Sequence, residues 1–550
     1  MLLRAWVGAA LLWLLAALPV ASQSKLVSNA PHLERRGDTT QLIVDGKPFL
    51  ALAGELYNNS ATSLEYMKPV WPRLAAMHLN TVLAPVSWAL LEPSEGKFDY
   101  SLVDGLIRDA RAQNLRLVLL WFGSWKNTWS SYAPNWVKRD FERFSRVQLG
   151  AGSGTERLSP LCEANRNADA RAFAALMRRI REVDSDAHTV IMVQVENEVG
   201  VIPDARDHST AANAAYDQPV PSELMEYLQR HKDSLDPELR ARWQEAGFKT
   251  SGGWEAVFGS GPKTEDLFMA WQYARYIGKV AEAGKAEYDL PMYVNAALIR
   301  PNYAPGQYNS GGPLPHSMDI WKAGAPQLDF AAPDIYFEFK NWCAKYDRPG
   351  NPLFIPESTG DAEGAANVLY AVGHHRAFGF PPFAIDGMER SGDGGKELAR
   401  SYDVLSELAP LILENQLKGR VDGVLLEELT ASQRVRFGDY TLNVSRGGPR
   451  RIFPGEPVSP EAPRGQTPHG IFIATAPDEF YMAGSGLTIT FSADTPGPPI
   501  VGLATVEEGR FVDGRWIRGR ALAGDDTGQG NSVSLRGATG ILRVTVYRYR

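Results

Sequence analysis

From Leu42 onward the chain repeats one theme: a short, almost wholly apolar run, a polar loop, then a stretch with apolar residues at helical spacing. Apolar runs without polar alternation are what strands of a parallel sheet look like when both faces are buried. Eight can be read, over 49–55, 81–86, 115–122, 190–198, 292–298, 328–336, 352–357 and 378–385. Helical stretches separate most of them: 63–77, interrupted by Pro69 and Pro72, then 100–113, 168–183, 266–288 and 362–377. Strand and helix alternating in this number predict an α/β fold, a (β/α)8 TIM barrel. A doubly wound open sheet is the rival, but no glycine-rich dinucleotide turn follows the first strand.

A charged insertion at about 202–263, carrying Trp243 and Trp254, follows the fourth strand and predicts helices and loops near the barrel mouth. A closing helix is expected at 404–417. Beyond it the texture changes: 424–442 and 470–550 are rich in Val, Thr and Gly and alternate in polarity, as in Leu487-Thr488-Ile489-Thr490-Phe491, with a Pro- and Gly-rich stretch at 447–467 between them. Alternation of period two predicts an antiparallel, sandwich-like C-terminal β domain. The expected organisation is a signal peptide at 1–22, the barrel at 23–417 and the β domain at 418–550. The first segment rests on a basic start at Arg4, an uncharged apolar run from Ala5 to Val20 and small residues at Ala21-Ser22, the order of a secretory signal. That run is shorter than the ~20 residues a spanning helix needs. The expected location is therefore exported, periplasmic or extracellular, without stable membrane insertion.

Composition adds exclusions. A formal net charge of −7 over 550 residues, with no basic cluster, excludes nucleic acid as an expected partner. The histidines are scattered without zinc-site spacing, so no metal is expected. Cys162 and Cys343, the only two cysteines, leave one disulfide open. The 14 tryptophans suit a sugar-stacking surface as well as a core.

The chemistry of a TIM barrel sits at the C-terminal ends of its strands, and a carboxylate that ends a buried apolar run is seldom there without a partner or a task. Three runs end this way, at Glu55, at Glu196-Asn197-Glu198 and at Glu357, and Asp386 follows the eighth. Glycosidic hydrolysis needs two carboxyl groups in different states, one protonated to assist the leaving oxygen and one ionised to attack the anomeric carbon, about 5–5.5 Å apart when configuration is retained. Strands four and seven face one another across the mouth, which makes Glu198 and Glu357 the candidate pair. Glu196 sits a layer deeper and is expected to be a buried partner. Strand alternation turns Asn197 away from the sugar unless the strand bulges or ends there.

The segment Gln194-Val195-Glu196-Asn197-Glu198-Val199-Gly200 resembles the Q-x-E-N-E-Y-G motif of glycoside hydrolase family 35, the β-galactosidases. Trp88 to Tyr100 is similar to that family's W-N-x-H-E-P-x-x-G-x-F-x-F segment, and Leu120–Lys126 with Pro134-Asn135-Trp136 resembles the third-strand region of families 35 and 42. The resemblance covers roughly 30–415. It implies a retaining β-glycosidase needing no cofactor, with Glu198 as acid/base and Glu357 as nucleophile, and the N-terminal segment adds export. A β-galactosidase acting on non-reducing-end β-galactosides is the leading expectation. The alternatives are the same mechanism on a β-glucoside or arabinoside, or a silent carbohydrate-binding barrel. Val199, Ala89, Leu91 and Gly123-Ser124 depart from the family's sugar-reading positions. Expected substrate contacts are Asn197, Glu55, Tyr57, Trp88, Trp121, Trp125, Tyr336 and Asp386, all at strand ends or in the loops that follow. For the aromatic residues packing competes with ligand contact. For Glu55 and Asp386 structural pairing does.

Overall fold

The computed structural model describes residues 30–387, 393–447, 467–536 and 540–550. The expected signal peptide and most of 447–467 lie outside the described residues. Seven strands pair in parallel in chain order: β1 (Ala53–Glu55), β2 (Thr81–Ser87), β3 (Arg116–Lys126), β4 (Val190–Asn197), β5 (Met292–Ala297), β6 (Phe330–Ile335) and β7 (Glu357–Ser358). β4 and β6 are buried along their whole length, which is why their sequences read as unbroken apolar runs.

The expected eighth strand forms an isolated bridge at Gly379 in place of a ladder. Pro381 and Pro382 have no amide hydrogen to donate, so regular pairing cannot continue through them. The segment still closes the barrel. Phe378 N donates to Leu353 O at 3.1 Å and Ile355 N to Gly379 O at 3.2 Å on one side, while Ala51 N donates to Phe378 O and Glu55 N to Pro382 O, both at 2.8 Å, on the other. The result is a (β/α)8 barrel closed by irregular hydrogen bonds at one seam.

Helices Ser101–Ala112, Glu163–Asp184, Pro262–Glu287 and Ala362–His374 cover the barrel where the spacing predicts them. The expected helix at 63–77 is broken into Leu64–Met67 and Val70–Ala76, with Pro69 between them. A short antiparallel sheet (His32–Arg36, Thr39–Val44, Lys47–Phe49) precedes β1. Its Leu42 and Val44 pack with Leu83, Val118, Leu120 and Phe354 inside the barrel. The insertion folds as short helices, and its Trp243 and Trp254 are buried. No helix among the described residues is long and apolar enough to cross a membrane. Cys162 and Cys343 are free thiols, so the disulfide left open by the sequence is not formed.

After the long helix Asp393–Gln416, two antiparallel sheets of six and four strands enclose a core of Phe472, Phe480, Met482, Leu442 and Val544. In strand His469–Ala476, Phe472 and Ala474 point into this core, and Ile471 and Ile473 belong to the barrel's core. Period-two alternation here separates two apolar environments rather than core from water, so this sheet is glued to the barrel on its outer face. Glu407 of the long helix accepts a hydrogen bond from Phe511 N at 2.6 Å across the same contact.

Candidate active site

β4 delivers its residues to the mouth by abandoning regular strand geometry. Glu196 and Glu198 have left-handed backbones, φ +63° and +44°, a conformation that costs a non-glycine residue about 1–3 kcal/mol and persists only where surrounding contacts impose it. The imposing contacts come from β3. Pairing runs from Trp121 opposite Val195 to Lys126 opposite Asn197, so β3 bulges between them. Glu196 fills the bulge, accepting hydrogen bonds from Ser124 N (3.0 Å) and Trp125 N (2.6 Å). Behind it Asp169 accepts from Trp121 Nε1 (2.8 Å), Ser124 Oγ (2.5 Å) and Tyr276 OH (3.2 Å). Burial and the adjoining Asp169 push Glu196 well above the usual carboxylate range, so it serves as a protonated partner buried behind the site. β4 ends at Asn197, whose Nδ2 reaches Glu357 Oε1 at 3.4 Å.

Glu198 and Glu357 face one another. With Asp334 they bring one carboxylate oxygen each to within 4.8 Å of one another. Asn295 Oδ1 accepts from Glu198 N at 2.9 Å, and Asn127 Nδ2 donates to Glu198 Oε2 at 2.5 Å. Burial, then the charge of Glu357, raises the Glu198 carboxyl to about 7. Glu357 collects donors instead: Tyr336 OH at 2.9 Å, the Asn197 amide, and Lys126 Nζ 3.6 Å from Oε1. Burial alone would lower Lys126, but Glu357, Glu55 and Glu198 outweigh it and hold the ammonium above its usual value. Of the two neighbouring carboxyls, Glu198 is the one held above its usual range, while Glu357 is the one ringed by donors and a cation. The three clustered carboxyls are close enough to hold a cation, yet the Lys126 ammonium already supplies a positive charge beside them.

Glu55, wholly buried at the end of β1, has no hydrogen-bond partner for either oxygen among the described residues. Burial and Glu357 push it well above the carboxylate range, leaving a neutral acid with donor and acceptor unspent. Tyr57 and Tyr336 are 53% and 44% exposed. Other expected contacts are already committed elsewhere. Trp88, Trp121 and Trp125 are 0% exposed. Their indole N–H groups donate to Glu92 Oε2 (2.8 Å), Asp169 Oδ1 (2.8 Å) and Leu158 O (3.0 Å), so each belongs to the packing between strand and helix layers. Asp386 accepts from Tyr57 N (2.9 Å) and Ser60 Oγ (2.7 Å), which spends both oxygens on the loop after β1.

The sequence reading passed over Lys126, Asn127, Asn295 and Asp334. Asp334 and Asn295 are linked by a 2.7 Å hydrogen bond that supports Glu198 from the side of β5 and β6. Burial and the charge of Glu357 push Asp334 well above the carboxylate range. For Asn295 and Asp334 the available signal was a lone polar residue within an apolar run, close to the signal that singled out Glu55; Lys126 and Asn127 lie together in a polar stretch and carried no such signal.

The family model for glycoside hydrolase 42, described as β-galactosidase, matches residues 57–349, and a family described as a domain of unknown function matches 398–534. A β-galactosidase of Xanthomonas manihotis is 29% identical over 216 residues, which is 38% of this chain and 33% of that one. The chain thus spans about a third of the length of that relative. A solved cold-adapted β-galactosidase from Rahnella sp. R3 shares 17% identity with a TM-score of 0.45, covering 66% of this chain and 57% of the other. A β-galactosidase from Bacillus circulans sp. alkalophilus shares 11% with the same TM-score, covering 90% and 99%. Because the family 42 model matches just over half of the chain, the protein belongs to the β-galactosidase family of (β/α)8 glycoside hydrolases.

Proposed function

We propose that the protein is an exported retaining β-galactosidase working by double displacement, with Glu357 as nucleophile and Glu198 as acid/base. The observation that carries the reading is the pair itself: two opposed carboxyls with oxygens within 4.8 Å, one raised to about 7 and the other ringed by Lys126, Tyr336 and Asn197. That approach suits the shorter carboxyl separation of a retaining enzyme rather than the wider one of an inverting enzyme. Glu198 protonates the leaving oxygen while Glu357 attacks the anomeric carbon. Glu198, now ionised, then takes a proton from the water that releases the sugar. Asn197 lies against Glu357 and reaches the sugar 2-hydroxyl, a contact that strengthens in the transition state. Glu55 offers its unspent oxygens to a further hydroxyl. Galactose as the sugar is supported by the family and by the named relative. The departures at Ala89, Leu91 and Ser124 keep glucoside and arabinoside in the comparison.

The test is hydrolysis of nitrophenyl β-galactoside, β-glucoside and α-arabinoside, with the first-formed anomer read by proton NMR. Galactoside is expected to be cleaved best, with β-galactose appearing before mutarotation. The α-anomer appearing first would end the double-displacement reading, and better cleavage of another glycoside would replace the sugar.

Lys126 gives a second prediction. It is the cation beside Glu357, fixed over the Phe122 ring at 5.2 Å. Lys126→Met keeps the apolar stem and removes the charge, leaving Glu357 among Glu55, Glu198 and Asp334 without compensation. A fall of roughly 10²-fold in kcat/KM is expected, with Lys126→Arg recovering part of it. An unchanged rate in Lys126→Met would show that the ammonium is not needed to support the anion.

A further inference from the structure

Among the tryptophans around the mouth, Trp129 differs in kind. It is 45% exposed, and its indole N–H has no hydrogen-bond partner among the described residues, whereas Trp88, Trp121 and Trp125 are buried and bonded. Its position is fixed from below and from behind. Lys126 N donates to Trp129 O at 2.8 Å and Trp129 N to Lys126 O at 3.0 Å, closing a tight turn in which Asn127 and Thr128 both adopt left-handed backbones, φ +49° and +69°. The guanidinium of Arg157, itself only 4% exposed, stacks 4.0 Å from the centre of the ring system and is held in turn by Thr128 Oγ1 at 3.2 Å. One face of the indole is therefore backed by a fixed cation, while the residue as a whole stays 45% exposed.

The same turn grips the proton donor. Asn127 Nδ2 donates to the Glu198 carboxylate, and Thr128 N donates to Glu198 O at 3.2 Å. Trp129 is thus tied through two short contacts to the residue that must reach the departing oxygen. In a retaining mechanism the leaving group lies on the side of the acid, away from the nucleophile. A rigid aromatic face beside the acid is a platform for the apolar C–H face of a sugar ring, with the indole N–H free for one of its hydroxyls.

We propose that Trp129, backed by Arg157, forms the leaving-group subsite and takes a pyranose ring, so that the preferred substrates are galactosides of another sugar rather than of a small alcohol. This rests on the retaining β-galactosidase reading above, and the experiment separates the two. Wild type, Trp129→Ala and Trp129→Phe are compared on a β-galactosyl-glucose disaccharide and on methyl β-galactoside, whose leaving group needs the acid equally but has no ring. The fall in kcat/KM caused by Trp129→Ala is expected to be about tenfold larger on the disaccharide than on the methyl galactoside, and Trp129→Phe should recover most of the difference. The ratio between the two substrates does not depend on how much of a variant is folded. Equal falls on both substrates, or none on the disaccharide, would overturn the subsite while leaving the proposed reaction standing. A wild type that cleaves neither substrate would overturn the reaction, and the subsite with it.

Discussion

Glu357→Gln is expected to reduce kcat/KM on every galactoside by roughly 10⁴-fold or more, since the proposed covalent intermediate cannot form without the carboxylate. Glutamine nearly matches glutamate in shape and keeps one oxygen, enough for either the Tyr336 hydroxyl or the Asn197 amide, which donate to different oxygens of Glu357. The loss therefore reports the missing nucleophile, not a collapsed site. The neighbouring carboxyls give the necessary control. Asp334 is close enough to be mistaken for the nucleophile, but burial and the charge of Glu357 keep it protonated, and a neutral acid attacks poorly. Asp334→Asn should cost much less than Glu357→Gln. The sharper test replaces Glu357 with glycine and supplies azide, which fits the vacated space and attacks from the nucleophile's face. The expected product is α-galactosyl azide, formed in one displacement with inversion. A Glu357→Gln variant retaining a substantial fraction of wild-type activity, or an azide product of β configuration, would move the nucleophile elsewhere in the cluster.

How much of this was legible in the sequence depends on what each residue's neighbours allow. β2, β4, β5 and β6 are written plainly because both of their faces are buried. The seam is less plain: Pro352 and Pro356 precede the short β7, and Pro381 and Pro382 break the eighth segment, so an apolar run there is not a ladder. Glu198 and Glu357 were legible as charges ending buried strands. Trp88, Trp121 and Trp125 were not, because a tryptophan at a strand end can turn toward the mouth or toward the helix layer. The choice is made by acceptors distant in sequence, Asp169 and Leu158 among them. Lys126 and Asn127 were hidden by the β3 bulge. Counted along a regular strand they run past the mouth, and only the extra residues opposite β4, clamped by Glu196, fold them back over the carboxyls. The reading of Glu196 as a buried partner and the need for a bulge beside Asn197 were both available from strand periodicity. The residues that the bulge would carry into the site were not.

Glu198→Gln should separate substrates by how much help their leaving groups need. Wild-type Glu198 is raised to about 7, first by burial and then by the charge of Glu357. In the proposed first step it donates a proton, so the active form is the protonated one. Log kcat/KM for a poor leaving group should accordingly fall as pH rises through about 7, and the decline should follow deprotonation of this one acid. The amide in Glu198→Gln has no proton to give. On methyl galactoside or a disaccharide a loss of about 10²–10⁴-fold is expected, with the high-pH decline gone. On dinitrophenyl galactoside, whose leaving group departs unaided, formation of the intermediate should be nearly as fast as in wild type. Its breakdown should become limiting, because the same side chain must then act as base toward water. Azide needs no base, so adding it to Glu198→Ala should restore turnover and yield β-galactosyl azide, the opposite anomer to that expected from the glycine variant at Glu357. The pair of products is the strongest available discrimination, since one small anion reports which face of the sugar each removed carboxyl occupied. If both variants gave the same anomer, or if the high-pH decline persisted in Glu198→Gln, the acid would have to be sought in Asp334 or Glu55, the other two buried carboxyls that the cluster keeps protonated.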